Sequence, residues 1–246
     1  ISTVNSQHYP WAKAALEHGK HVICEKPCTT SEAETRELFA LARQRGLFFM
    51  EAEKMLFLPA IADLQQRIAA GQLGEITMVD MSHSFSGNYN SWMYDQEAGG
   101  GPLLSSGIYA VQLLVALFGA IASVEGRCST MENGVEWQYI LTGTMKNGIL
   151  FTARNSTRGV LENTARIYGT KGWAEIPNYW KARRLILHLQ EEQILDFPCQ
   201  HELIYEARHI KACVETGQLT SPVVTEEISA MGIRALQQVK RKWKAK

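Results

Sequence analysis

The sequence lacks the features that mark several large classes of protein. Its five cysteines, Cys24, Cys28, Cys128, Cys199 and Cys213, are odd in number, widely scattered and without a Cys-x-x-Cys pair. That excludes a disulfide-stapled scaffold and a cysteine-based metal module. Neither sign of charge is in excess, with 25 Lys and Arg against 25 Asp and Glu, so no global field draws the chain to nucleic acid or to an anionic membrane. No apolar run approaches the roughly 18 residues of a membrane span, and the N-terminus has neither the basic flank nor the cleavage site of an export signal. His-x-x-x-His, Gly-x-Ser-x-Gly and Gly-x-Gly-x-x-Gly are all missing. These absences predict a cytoplasmic protein with reduced thiols, no nucleic-acid or membrane partner, and a small-molecule ligand.

What is present is a globular composition, 46% hydrophobic and 20% charged over 246 residues, enough for a sizeable core. The first part alternates strand and helix. Ile1–Val4 reads as a buried strand, Tyr9–Gly19 as a helix with Pro10 in its first turn, and His21–Cys24 as a second strand. Ser31-Glu32-Ala33-Glu34 has the form of a capping box opening a helix that ends at Gly46, and Leu47–Glu51 reads as a third strand. This is the grammar of a parallel sheet covered by helices. After Pro59 a helix, a strand at Ile76–Phe85 and a Gly-rich entry into a helix reaching Phe118 give way to closely spaced strands, which predict a mostly antiparallel sheet. Two helices, His201–Thr216 and Glu226–Lys244, finish the chain, the second ending in the basic run Lys240–Lys246, read as a solvated helix end. The expected fold is α/β followed by α+β, with boundaries at 1–54 and 55–246. Too few helices remain to cover the large sheet, so its open face predicts a homodimer.

Glu25-Lys26-Pro27 directly follows a predicted buried strand, at the carboxyl end of a parallel sheet where ligands of open α/β folds bind. A lysine there can hydrogen-bond a substrate oxygen and, with a lowered pKa, exchange a proton with it; the bland alternative is a solvated surface lysine. Asn5-Ser6-Gln7-His8 lies at the end of the preceding strand, facing a ligand or simply capping a helix. In the run Gly99–Tyr109, Ser105 and Tyr109 are four apart and would share a helix face. Tyr109 is either a proton relay, needing its pKa of about 10 tuned, or a residue packed between the two parts.

Together these residues resemble the glucose-fructose oxidoreductase, inositol dehydrogenase and MocA-like (Gfo/Idh/MocA) family. The likeness rests on Asn5 and His8, on the specific stretch Ala14–Pro27, on Met50-Glu51-Ala52, on the Gly-rich helix entry and on Ser221-Pro222-Val223. The resemblance implies that residues 1–54 form the latter half of a Rossmann domain and that 55–246 form a substrate-binding and dimerisation domain. It also implies NAD or NADP as cofactor, and hydride transfer at a hydroxyl or carbonyl carbon of a sugar, polyol or dihydrodiol. Lys26 matches the family's catalytic lysine, and Tyr109 the proton donor of its tyrosine-bearing branch, which includes the dimeric dihydrodiol dehydrogenases. Asn5, His8, Glu25, Lys26 and Pro27 match positions along the nicotinamide. Ser105 stands where many members have an aspartate, so the usual carboxylate partner of the lysine is expected to be missing. The absent phosphate turn leads to the expectation that about 70 residues precede Ile1 in the native protein, or that the chain is inactive. The alternative function is a non-catalytic dimeric binding or regulatory protein on the same fold.

Overall fold

The computed structural model describes residues 1–86 and 91–244. Near its start lie α1 (Asn5–Glu17), β1 (Val22–Glu25), α2 (Glu32–Arg45) and β2 (Phe49–Ala52). The two strands pair in parallel, Val22 opposite Phe49 through to Glu25 opposite Ala52. Ala12 and Leu16 of α1, and Leu38, Phe39 and Ala42 of α2, bury their apolar stripes against Val22, Cys24 and Phe49 in a small core of their own.

Two local expectations change here. Ile1–Val4 is not a strand: only Ile1 joins the ladder, its ammonium donating to the Ile23 carbonyl and its carbonyl accepting from the Glu25 amide. The chain then turns at Val4, so α1 starts at Asn5 and takes in Asn5–His8 as its first turn, with Pro10 inside the helix. Ser31 does stand at the N-cap of α2, but its side chain makes no capping bond. The Glu32 amide is satisfied instead by the Gln237 side chain, 3.1 Å away, from the far end of the sequence. That partner could not be read from a local Ser-x-x-Glu pattern.

A 3-10 turn at Lys54–Phe57 leads into α3 (Pro59–Ala69) and β3 (Ile76–Ser84). A short 3-10 turn at Trp92–Tyr94 precedes the glycines. The single helix expected after them is two, α4 (Pro102–Ser105) and α5 (Gly107–Phe118), broken at Ser106. Strands β4 (Ile121–Thr130), β5 (Glu136–Met145), β6 (Leu150–Ser156), β7 (Thr164–Gly169), β8 (Gly172–Pro177), β9 (Arg184–His188) and β10 (Glu192–Asp196) follow, with a 3-10 turn at Tyr179–Lys181 between β8 and β9. The chain closes with α6 (Leu203–Glu215) and α7 (Glu226–Lys244). The basic run is therefore helical as far as Lys244, and its last two residues lie outside those described.

The large sheet has the order β10-β9-β8-β7-β3-β6-β5-β4, and every pairing is antiparallel except β3 with β6. Alternation along each strand sends Val79 and Met81, Phe151 and Ala153, Ala165 and Ile167, and Tyr139 and Leu141 into one core beneath the helices. Nearly every residue of α5 from Gly107 to Val115 is buried, as suits a helix wedged centrally, with Tyr109 the exception. Among the described residues, no element covers the opposite face. There Met78 and Leu150 pair side by side, and Ile140 and Ile194 are more than half exposed.

Helix α7 returns to α2, where Arg36 pairs with Glu226 and Glu227 and Arg43 with Glu226. It also packs on α5 and β4, so the end of the chain braces its beginning.

Gly143 tests how tightly the strands meet the core. A methyl group there would stand 2.3 Å from the Ser123 carbonyl and 2.4 Å from the Phe151 ring, whereas one at Gly159 meets nothing closer than 3.5 Å. Urea denaturation should show Gly143→Ala less stable by about 1–3 kcal/mol and Gly159→Ala within about 0.5 kcal/mol of the parent.

Candidate active site

Because β1 and β2 run in parallel and in register, their carboxyl ends coincide. Glu25 lies opposite Ala52, and the next residues along the two strands are Lys26 and Glu53. Lys26 is thus set beside a carboxylate by the backbone alone. Its amine reaches across to α4 and α5, donating to the Ser105 carbonyl and lying 4.4 Å from the centroid of the Tyr109 ring. Ser105 and Tyr109 do not share a continuous helix, since the break at Ser106 separates them. The break instead leaves the Ser105 carbonyl free to accept from Lys26.

Three carboxylates attend the lysine. Glu53 has no exposed surface; one oxygen caps the Met55 amide at 3.2 Å and the other has no hydrogen-bond partner. Glu51 is equally buried but fully engaged, accepting from the Cys28 amide at 2.9 Å and from Gln112 of α5 at 2.7 Å, which fastens the loop after Pro27 to the central helix. Glu25 is exposed. Burial pulls the Lys26 pKa down, while Glu53 first, then Glu25 and Glu51, pull it back up. Burial pushes Glu53 well above the usual carboxylate range, and Lys26 draws it down again. Where the aspartate at position 105 is missing, the first acidic group to act on Lys26 is Glu53, from another element. Glu53 was overlooked because its neighbour across the sheet is fixed by register, not by sequence distance.

The Tyr109 phenol is pushed upward by burial and by the negative charges of Glu53, Glu25, Glu206 and Glu202. It holds its proton at neutral pH. Glu206, on α6, is also buried with an unpartnered oxygen, and burial together with the Glu25 charge raises it to about 7. Lys54 leaves the cluster, forming an ion pair with Glu202.

Asn5 and His8 are both buried, and each bonds backbone carbonyls through its side chain. The Asn5 amide donates to the Gly99 carbonyl at 2.9 Å. The two ring nitrogens of His8 contact the carbonyls of Pro27 and Thr3 at 2.8 and 3.1 Å; a neutral imidazole has one N–H to give to the pair. Both residues fix the loops around Lys26.

Two further residues enter the site unannounced. On β3 the core-facing row Val79, Met81 continues to His83, which stacks on Trp180 from the 3-10 turn after β8, with ring centroids 3.8 Å apart. The alternation of β3 was a signal that could have placed His83 on the inner face, whereas Trp180 arrives by topology. No group of three or more possible metal ligands occurs among the described residues.

Residues 1–53 match a family described as "Oxidoreductase family, NAD-binding Rossmann fold", and residues 61–175 match its "GFO/IDH/MocA C-terminal domain". Among curated relatives, the trans-1,2-dihydrobenzene-1,2-diol dehydrogenase of Mus musculus is 31% identical, covering 98% of this chain and 75% of its own length. That of Homo sapiens is 30% identical over the same shares. Among solved structures, the aldose-aldose oxidoreductase of Caulobacter crescentus, complexed with glycerol, superposes with a TM-score of 0.90 at 24% identity, over 100% of this chain and 76% of that one. A levoglucosan dehydrogenase in complex with NADH and levoglucosan gives 0.84 at 20% identity, over 98% and 77%.

If the Glu53 charge supports the Lys26 ammonium, Glu53→Gln lowers the pH at which Lys26 loses its proton. Side-chain nitrogen NMR of the lysines would follow that titration directly. An unchanged titration would show that Glu53 is already protonated beside the amine.

Proposed function

The chain belongs to the Gfo/Idh/MocA family of NAD-binding oxidoreductases, and on that premise we propose that Lys26 and Tyr109 manage the proton of a hydride transfer at a hydroxyl or carbonyl carbon of a sugar, polyol or dihydrodiol. The observation that carries this reading is the Lys26 amine lodged between the Ser105 carbonyl and the Tyr109 ring, at the shared carboxyl end of two parallel strands. Bound NAD or NADP supplies the nicotinamide that gives or takes the hydride.

The residues present suit such a cofactor at its reactive end. Glu25, Lys26 and Pro27 follow β1 at the sheet end where dinucleotides bind in open α/β folds, and Asn5 and His8 hold the adjoining loops in shape. On this reading residues 1–54 are the latter half of the nucleotide-binding domain, and 55–246 form the substrate-binding and dimerisation domain.

In the reducing direction the Tyr109 hydroxyl, kept protonated by burial and the surrounding carboxylates, donates its proton to the substrate oxygen as the carbon receives hydride. The Lys26 ammonium, close to the ring, stabilises the phenolate that remains. Oxidation reverses these moves: the phenolate accepts the hydroxyl proton. Glu53, Glu25 and Glu51 oppose the desolvation that pulls the Lys26 pKa down.

The open sheet face supports a homodimer, because it exposes Met78 beside Leu150, with Ile140 and Ile194 also exposed on it. All five cysteines are unpaired, which is consistent with a cytoplasmic protein.

In the full natural chain, Lys26→Ala should abolish NAD(P)-linked turnover while circular dichroism stays unchanged; parent-like rates would contradict the role of the lysine. Tyr109→Phe should cost about 10²–10⁴-fold in kcat, with a smaller effect on cofactor affinity measured by NADPH or NADH fluorescence. Light scattering should find a dimer, and Ile140→Lys with Leu150→Lys should shift it to monomer.

A further inference from the structure

Lys26 and Tyr109 belong to different parts of the fold. The lysine is carried between Cys24 and Cys28, which are buried in the small core, whereas Tyr109 packs against the large one. The 4.4 Å from its amine to the ring centroid is therefore a relation between two packed bodies. One buried carboxylate spans the boundary between them. Glu51 accepts the Cys28 amide on Oε1 at 2.9 Å and the Gln112 side-chain amide on Oε2 at 2.7 Å. Cys28 follows two residues after Lys26, and Gln112 lies about one helical turn beyond Tyr109. A single side chain thus grips the loop of the lysine with one oxygen and the helix of the tyrosine with the other.

The bond is built into the core. Glu51 and Gln112 are 1% and 0% exposed. The other buried side chains of α5, from Ile108 to Val115, are apolar, and packing alone would place another apolar residue in that row. Helix α7 lies against the glutamine. A methyl group at Gly232 would stand 2.9 Å from its Cγ, so the glycine makes the room that Gln112 fills, and Ser229 lies beside the Glu51 carboxylate. A side chain enclosed in this way keeps its direction, and the carboxylate it bonds keeps its place.

We propose that Glu51 and Gln112 are positioning residues whose bond, held in place by α7, sets the distance between Lys26 and Tyr109 on which proton exchange with the substrate depends. This rests on the oxidoreductase reading above and adds the device that keeps its two residues together. Displacement of reacting groups by about 1 Å can cost about 100-fold in rate even when the altered residue is remote from the chemistry.

The test uses the full natural chain. Gln112→Leu removes the donor but keeps the Glu51 charge, which also acts on Lys26, so its effect is one of position. Gly232→Ala displaces Gln112 from α7. In the double variant Glu51→Gln with Gln112→Glu, the amide introduced at 51 accepts from Cys28 and donates to the carboxylate introduced at 112, so both bonds return. The Lys26 side chain ends over the Tyr109 ring, whose ring current shifts the ε-methylene protons in NMR spectra of lysine-labelled protein; Tyr109→Leu gives their position without the ring. Gln112→Leu and Gly232→Ala should lose most of that shift. They should lower kcat by about 10- to 100-fold, with KM and NADH or NADPH affinity near the parent's, and the double variant should recover both shift and kcat. Parent-like shift or parent-like kcat in Gln112→Leu would overturn the inference. So would a double variant that regains the parent's melting temperature but neither readout. If Gln112→Leu does not fold, Gly232→Ala decides by the same two readouts. A parent without NAD- or NADP-linked turnover would overturn the oxidoreductase reading and the role in proton exchange with it, while the shift still reports whether the bond sets the distance.

Discussion

An ammonium withdrawn from water must be answered by charge or dipoles nearby, and the position of Lys26 sets that demand for everything around it. The first answer is backbone geometry. Parallel register between β1 and β2 brings Glu53 to the place beside Lys26. The second is the Ser105 carbonyl, available because the helix stops there. The third is Glu51, which spends both oxygens on the Cys28 amide and Gln112 and so holds the loop bearing the lysine against α5.

The start of α4 has its own physical cause. Gly101 adopts a positive φ of 110°, and a side chain there would collide with the Glu136 carboxylate. That carboxylate accepts the Leu103 amide at 2.9 Å, satisfying one of the free donors at the start of α4. The glycine thus admits a capping acid from β5, the cap fixes the short α4, and the short helix ends with its last carbonyl towards Lys26. A residue on the large sheet in this way orients an acceptor for a lysine on the small one.

Much of this was legible in the sequence because it is periodic. The strand-helix alternation of the first fifty residues, the row of strands after Ile121 and the closing helices all follow from apolar spacing, and Glu25-Lys26-Pro27 stood out by following a strand. What was not legible depends on register and on distant packing. Glu53 lies 27 positions from Lys26 and becomes its neighbour only once β1 and β2 are paired. The cap of α2 comes from Gln237, 205 residues away. The Ser106 break falls at Ser105-Ser106-Gly107, weak helix formers, but the side chain that bonds the Ser106 hydroxyl, Asn155, comes from another strand. Asn5 and His8 were visible as polar residues at a strand end, but that their groups are taken up by backbone carbonyls is a fact of the loops they join.

The same distinction separates the site from the core it borders. Along β3 and β6 the inner rows run Val79, Met81, His83 and Phe151, Ala153, Asn155, apolar until the last residue and then polar at the same end of the sheet. A sequence selected only for stability would continue such rows with apolar side chains, since each buried polar atom left unpaired costs about 1–3 kcal/mol. Here Glu53, Ser105, Glu206 and His83 each keep one unpaired atom, as do His188 and Ser229 elsewhere. The core elsewhere is large enough to bear that cost. On the reading proposed above, what the fold gives up in stability at this end it gains as preorganisation: fixed donors and acceptors, already desolvated, whose missing partners a ligand would supply.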